Sequence, residues 1–151
     1  MSTERFQKVR QLRVVVEAAD YDEAVRFYRD VLGMGEIAAF SEGGEDRVAI
    51  LEAGRATFEI ASPAHKVAID DVEAGGIPSP RIRIAFEVDD AEQSTREAED
   101  AGASVVAEPV LTPWKSLNSR LKAPADLTIT LFEETEDSHE RAQRDGFGTT
   151  A

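Results

Sequence analysis

The sequence predicts an α+β fold built from two tandem βαββ units, and three observations carry that prediction. First, LRVVVEAAD at 12–20 is written again as IRIAFEVDD at 82–90, so that Leu12 matches Ile82, Arg13 matches Arg83, Val14 matches Ile84, Glu17 matches Glu87 and Asp20 matches Asp90. Second, each copy runs from a β-branched stretch into an acidic residue placed to cap a helix. Third, the repeat returns at the far end of the unit, where Phe58, Glu59 and Ile60 correspond to Ile129, Thr130 and Leu131.

Taken in order, the first unit (12–61) opens with a strand over 12–17. The segment YDEAVRFYRDVLG follows, with Ala24, Val25, Phe27, Tyr28, Val31 and Leu32 at helical spacing and Gly33 as the stop. GEIAAFSE, DRVAILEAG and RATFEIAS then read as strands between glycine-bearing turns. A linker occupies 62–80. Proline and glycine crowd its end, and HKVAIDDVEAG within it is a short helix candidate broken by Gly75 and Gly76. The second unit (81–133) repeats the plan. Its helix, AEQSTREAEDAG, has a thin stripe of Ala91, Thr95, Ala98 and Ala101 and is expected to pack less deeply than the first; ASVVAEPVLT, LNSRLKAP and DLTITLFEE are its remaining strands. The polar stretch 134–151 reads as a mobile tail, leaving 1–133 as one domain.

A chain of 151 residues buries close to about 70% of its unfolded surface and needs no covalent staples. It has no cysteine, which excludes disulfides, thiolate metal sites and thiol nucleophiles. The N-terminal MSTERFQKVRQL lacks the apolar centre of a signal peptide, and no apolar run reaches the length of a membrane span, so the expected compartment is the cytoplasm. Lys plus Arg number 17 against 30 Asp plus Glu, a net charge of −13 that argues against nucleic acid or an anionic membrane as partner.

Alternation along the strands separates two faces. Leu12, Val14 and Val16 share one face, as do Ile82, Ile84, Phe86 and Val88; each set is expected to cover its own unit's helix. The opposite face carries Arg13, Glu17, Thr57 and Glu59 in the first unit and Arg83, Glu87, Thr128 and Thr130 in the second. Two such sheets facing one another enclose a cleft with a polar, charged lining.

With these residues in view, LRVVVEAADYDEAVRFYRDVLGM and the EVDDAEQ turn of the second copy resemble the vicinal oxygen chelate superfamily, which includes glyoxalase I, extradiol dioxygenases, and fosfomycin and bleomycin resistance proteins. The resemblance spans roughly 12–133. It implies paired βαββ units, a site in the cleft between curved mixed sheets, and a homodimer in which that cleft is shared between chains. It also implies, for the enzymes, a metal held by a histidine on the first strand of each unit and by carboxylates or their equivalents on the last strands. Those positions here are Arg13 and Arg83, and Glu59 and Thr130; only Glu59 keeps a ligand type. Arginine stays protonated and offers no lone pair to a cation, so neither metal nor cofactor is expected. His65 in the linker and His139 in the tail read as surface residues.

Two accounts of the arginines stand side by side. They present forked donors to an anionic or carbonyl-bearing ligand, or they pair with Glu17, Glu59 and Glu87 and close the cleft. Trp114, the only tryptophan, is a candidate stacking residue at the cleft mouth, with a packing role as the plainer reading. No catalytic constellation emerges, because serine has no plausible histidine partner and nearby arginines keep the carboxylates ionised. The favoured reading is a metal-free binding protein close in character to the bleomycin-resistance members, sequestering a small organic molecule through Arg13, Glu17, Thr57, Glu59, Arg83, Glu87, Trp114 and Thr130. The competing readings are a lyase, isomerase or dioxygenase with non-standard or no metal ligands, and a closed cleft in a protein that acts only through its surface.

Overall fold

A four-stranded sheet organises the structure, a computed structural model that describes residues 8, 10–137, 140 and 143. The sheet is formed by β3 (Ile84–Glu87), β4 (Ser104–Leu111), β5 (Ser116–Ala123) and β6 (Leu127–Glu134), in the order β3-β6-β5-β4. β3 runs parallel to β6, with Ile84 beside Ile129 and Phe86 beside Leu131, while β5 is antiparallel to both of its neighbours. A separate two-stranded hairpin joins β1 (Glu36–Gly43) to β2 (Asp46–Leu51). The mixed α+β class is as the repeat predicts. Glu134, placed by the sequence in the polar tail, belongs to β6, and most of the expected tail, 138–151, lies outside the described residues.

Helix α3 (Ala91–Asp100) covers one face of the large sheet. Asp90 caps it by accepting from the Gln93 amide at 3.0 Å, and Glu133 accepts from the Ala91 amide at 2.9 Å, so two carboxylates meet the positive end of the helix. The expectation of shallow packing is corrected here: Ala91, Thr95 and Ala98 are fully buried. Small side chains let the helix axis approach the strands, and the Thr95 hydroxyl satisfies itself on the Ala91 carbonyl and on Ser119 Oγ of β5.

The first helix, α1 (Tyr21–Val25), is capped by Asp20 and runs on as a π-helical segment, Arg26–Val31, in which the Leu32 amide reaches back to the Phe27 carbonyl. The wider π turn lets two adjacent aromatics, Phe27 and Tyr28, both enter the core. Their rings meet edge to face at 5.0 Å, and the Tyr28 hydroxyl, its pKa raised by burial, donates to the Pro124 carbonyl at 2.7 Å. That carbonyl follows β5. The first helix therefore packs with Leu121, Ile129 and Leu131 of the second unit's sheet, where the sequence alone assigned it to its own unit. Arg47 of β2 lies over the Tyr21 ring at 4.3 Å and donates to Asp22 at 2.9 Å, tying the hairpin to α1.

Two predicted strands are absent from the described chain. Residues 12–17 and 55–62 form no strand, and every residue of both stretches is exposed. Their alternation suits a sheet, but a strand exists only when a neighbour takes its backbone hydrogen bonds, and neither stretch is paired within this single chain.

The linker candidate is a full helix, α2 (Pro63–Ala74). Ser62 caps it by accepting from the His65 amide, Pro63 occupies its first turn, and Gly75 closes it in the left-handed conformation at φ 59°. It lies against β4 and β5.

Candidate functional site

The face of the large sheet opposite α3 is the polar face that alternation assigned. Ser116, Asn118 and Arg120 of β5 point to it, with Thr130 of β6 and Arg83 beside the start of β3, and α2 brings Asp70 and Glu73 down onto them. These charged groups are buried: Arg120 is 0%, Glu73 2% and Asp70 5% exposed. Burial of that kind is sustained only when each charge is matched and hydrogen-bonded.

The matching is close. Glu73 Oε1 accepts from Arg120 Nε at 3.0 Å and from the Thr130 hydroxyl, and its Oε2 accepts from Asn118 Nδ2 at 2.9 Å. Arg83 Nη1 donates to Thr130 Oγ1 and stands 3.8 Å from Glu73. Arg120 Nη1 donates to Asp70 at 2.9 Å and to the Ile77 carbonyl at 3.0 Å. Burial by itself raises the Asp70 pKa, but hydrogen bonds from Lys66, Ser79 and Arg120 outweigh it and hold the carboxyl well below the usual carboxylate range. A polar chain then runs along β5, from Asn118 Oδ1 to Ser116 Oγ at 2.6 Å and on to Thr112 Oγ1 at 3.1 Å.

The Asp70 shift has a signed consequence. A depressed folded pKa contributes stability that is complete above the unfolded value, ordinarily 3.8, and is lost as pH falls through the folded value. Asp70→Asn is therefore expected to lower stability by an amount that is constant above about pH 5 and shrinks below about pH 4. Urea melts of both proteins from pH 7 to pH 3 measure it; a difference that widens on acidification contradicts the assignment.

Of the residues predicted to line the cleft, Arg83 and Thr130 do meet, each engaged with the other and with Glu73. The rest are not brought to them. Arg13, Glu17, Thr57 and Glu59 are exposed on the two unpaired stretches, and in the single chain they face no second sheet. Glu87 is exposed at the end of β3, lining a shallow depression with Asp89, Asp90, Gln93 and Glu97. Trp114 is half-buried in the turn between β4 and β5. An arginine paired with a glutamate was one of the two expected arrangements, but the partner is Glu73 of α2, not Glu17, Glu59 or Glu87. Asp70, Glu73 and Arg120 were missed. Both signals were in the sequence: Lys66, Asp70, Glu73 and Ile77 repeat at helical spacing, and Ser116, Asn118 and Arg120 alternate on one face of a strand.

Among the described residues the single chain assembles no divalent-cation site. First-strand positions hold arginine, Thr130 is occupied by Arg83 and Glu73, and among the described residues no group of three His, Asp or Glu side chains converges.

A mixed sheet with α3 on its apolar face and α2 on its polar face, beside a separate hairpin, defines an α+β protein. The family model of the Glyoxalase/Bleomycin resistance protein/Dioxygenase superfamily matches residues 10–133, and the chain belongs to that superfamily. Its fold is similar to that of TnmS3, described as an antibiotic binding protein, from Streptomyces sp. CB03234, at 18% identity and a TM-score of 0.56, over 86% of this chain and 100% of that one. TioX from Micromonospora sp. ML1 is 22% identical, with a TM-score of 0.51 over 83% and 98% of the two chains. A superfamily member from Sphaerobacter thermophilus is 18% identical, with a TM-score of 0.52 over 79% and 92%. A comparison with curated proteins finds no match. Among the described residues no helix is long and apolar enough to cross a membrane.

Proposed function

We propose that the chain is a metal-free small-molecule-binding protein of the glyoxalase/bleomycin-resistance type, working in the cytoplasm as a homodimer and sequestering an organic ligand on the polar face of its large sheet. The observation that carries this reading is that face itself: Arg83 and Thr130, at positions where a metal enzyme of the family needs ligands with free lone pairs, gather with Arg120 and Asn118 as directed donors. Such donors suit a ligand with at least one anionic or carbonyl group. The description of TnmS3 as an antibiotic binding protein adds support by analogy of fold.

The homodimer is supported by what the single chain leaves exposed. Phe58, Ile60 and Ile82 are 79%, 84% and 80% exposed, and Val14, Val15 and Val16 lie open on the other unpaired stretch. Apolar residues in this number on strand-like backbone fit a sheet interface between copies. Assembly of that kind is the route by which Arg13, Glu17, Thr57 and Glu59 join the site.

The test combines three measurements on purified protein. Light scattering is expected to give a dimer, and Ile60→Lys a shift toward monomer. Elemental analysis is expected to find no stoichiometric metal, and a thermal-shift screen of small organic acids and antibiotics to find stabilising ligands. Stoichiometric Fe, Mn, Ni or Zn overturns the metal-free reading; a screen without any response favours a protein that acts through its surface.

A further inference from the structure

Glu73 is held by groups from two strands, β5 and β6, and by Arg83 just before β3, none of them on its own helix. Both carboxylate oxygens are taken: Oε1 by Arg120 and Thr130, and Oε2 by Asn118, with Arg83 behind Thr130. The orientation of the Asn118 amide is set in advance, because Ser116 Oγ donates to its Oδ1 and so directs Nδ2 toward the carboxylate. Nη2 of Arg120 is buried and has no hydrogen-bond partner among the described residues, so the sheet offers more donor capacity than α2 uses. The arrangement is a cradle for a planar two-oxygen anion, and it belongs to the sheet.

The occupant is weakly seated by other means. The buried residues of α2 are Asp70, Glu73 and Ala74, so a single alanine is its only buried apolar side chain. A helix that buries an apolar stripe resists lifting through the area it would expose. This one is held mainly through polar contacts: those of Glu73, which an incoming carboxylate can take over, and the Asp70–Arg120 pair, which opens as the helix lifts. Its surroundings permit movement: residues 52–62 before it are exposed, and Gly75 and Gly76 after it have φ of 59° and 92°.

We infer that this cradle is a carboxylate-binding site, that Glu73 is its internal occupant, and that the ligand carries a carboxylate which displaces Glu73 as α2 lifts from the sheet. The inference rests on the proposal above that this face receives the ligand, and it supplies the ligand's chemical class and the regulation of access.

The experiment empties the cradle. Full-length Glu73→Ala and the unaltered protein are melted in sodium acetate, sodium chloride and sodium sulfate at matched ionic strength. Acetate is expected to raise the melting temperature of Glu73→Ala saturably, by about 4 °C at tenfold excess over its Kd. In the unaltered protein, where Glu73 already fills the site, acetate and chloride are expected to agree. Recovery of native circular dichroism in acetate alone counts as the same result.

If Glu73→Ala folds in no salt, Glu73→Gln takes its place. It keeps the side-chain volume but turns an amide donor toward Asn118, and its α2 amides are expected to exchange with deuterium at least about tenfold faster in acetate than in chloride. Identical behaviour in acetate and chloride overturns the inference, and so does a sulfate effect equal to that of acetate, which marks accumulated charge and no planar cradle. Hits in the small-molecule screen without an acetate effect sink this inference alone. An acetate effect without hits sinks only the sequestering function.

Discussion

Arg120→Leu is expected to destabilise the protein by about 3–5 kcal/mol, the range seen when one member of a buried charge set is removed. Arg120 is fully buried and binds Asp70 and Glu73 together, so its loss leaves two carboxylates on a covered face with the more distant Arg83, Asn118, Thr130, Lys66 and Ser79 to answer them. Glu73→Leu in the same chain is expected to recover part of that loss, because it removes one uncompensated charge and adds apolar area against the sheet. Urea melts of the two single variants and the double variant measure the coupling. A double variant whose loss equals the sum of the singles argues against direct pairing.

Phe27→Ala is expected to cost about 3–5 kcal/mol, as large-to-small changes at closely packed aromatic sites do. Phe27 is 2% exposed, and the core it joins contains residues from both units: Tyr28 from the π-helical continuation of α1, Ala98 from α3 and Leu121, Ile129 and Leu131 from the large sheet. The change is therefore expected to loosen the hold of α1 on that sheet and, through the Tyr28 bond to Pro124, the end of β5. Amide exchange separates this from a local effect: protection is expected to fall in 20–32 and in 121–125 together. Loss confined to 20–32 would place the cost in the helix alone.

The two predictions differ in how far the sequence announces them. The burial of Phe27 is legible from helical spacing, because apolar residues on one stripe have to be covered by something. What covers them is not legible. Repetition assigns α1 to the first unit's sheet, whereas the structure places it on the second's, since any apolar sheet face of the right width satisfies the same stripe. The second unit was read nearly complete: Ile84, Phe86, Ile129 and Leu131 face α3, and Arg83 and Thr130 face away, as period-two alternation requires. In the first unit β1 and β2 formed as expected because a tight turn makes each the other's neighbour. The stretches 12–17 and 55–62 carry equally good strand patterns, yet neither is paired within the chain.

Local chemistry accounts for what the sequence by itself determined: the strand and helix order of 82–134, caps at Asp20 and Asp90, glycine stops, and a strand face lined with arginine and threonine. Each of these depends on residues within a few positions of one another, or on a repeat visible by inspection. Only the tertiary structure decided that α2 lies on the polar face and that Glu73 meets Arg120, Asn118 and Thr130 from 45 to 57 positions away. A buried carboxylate needs a particular set of donors in a particular arrangement, and spacing along the chain does not specify which donors the fold will bring to it.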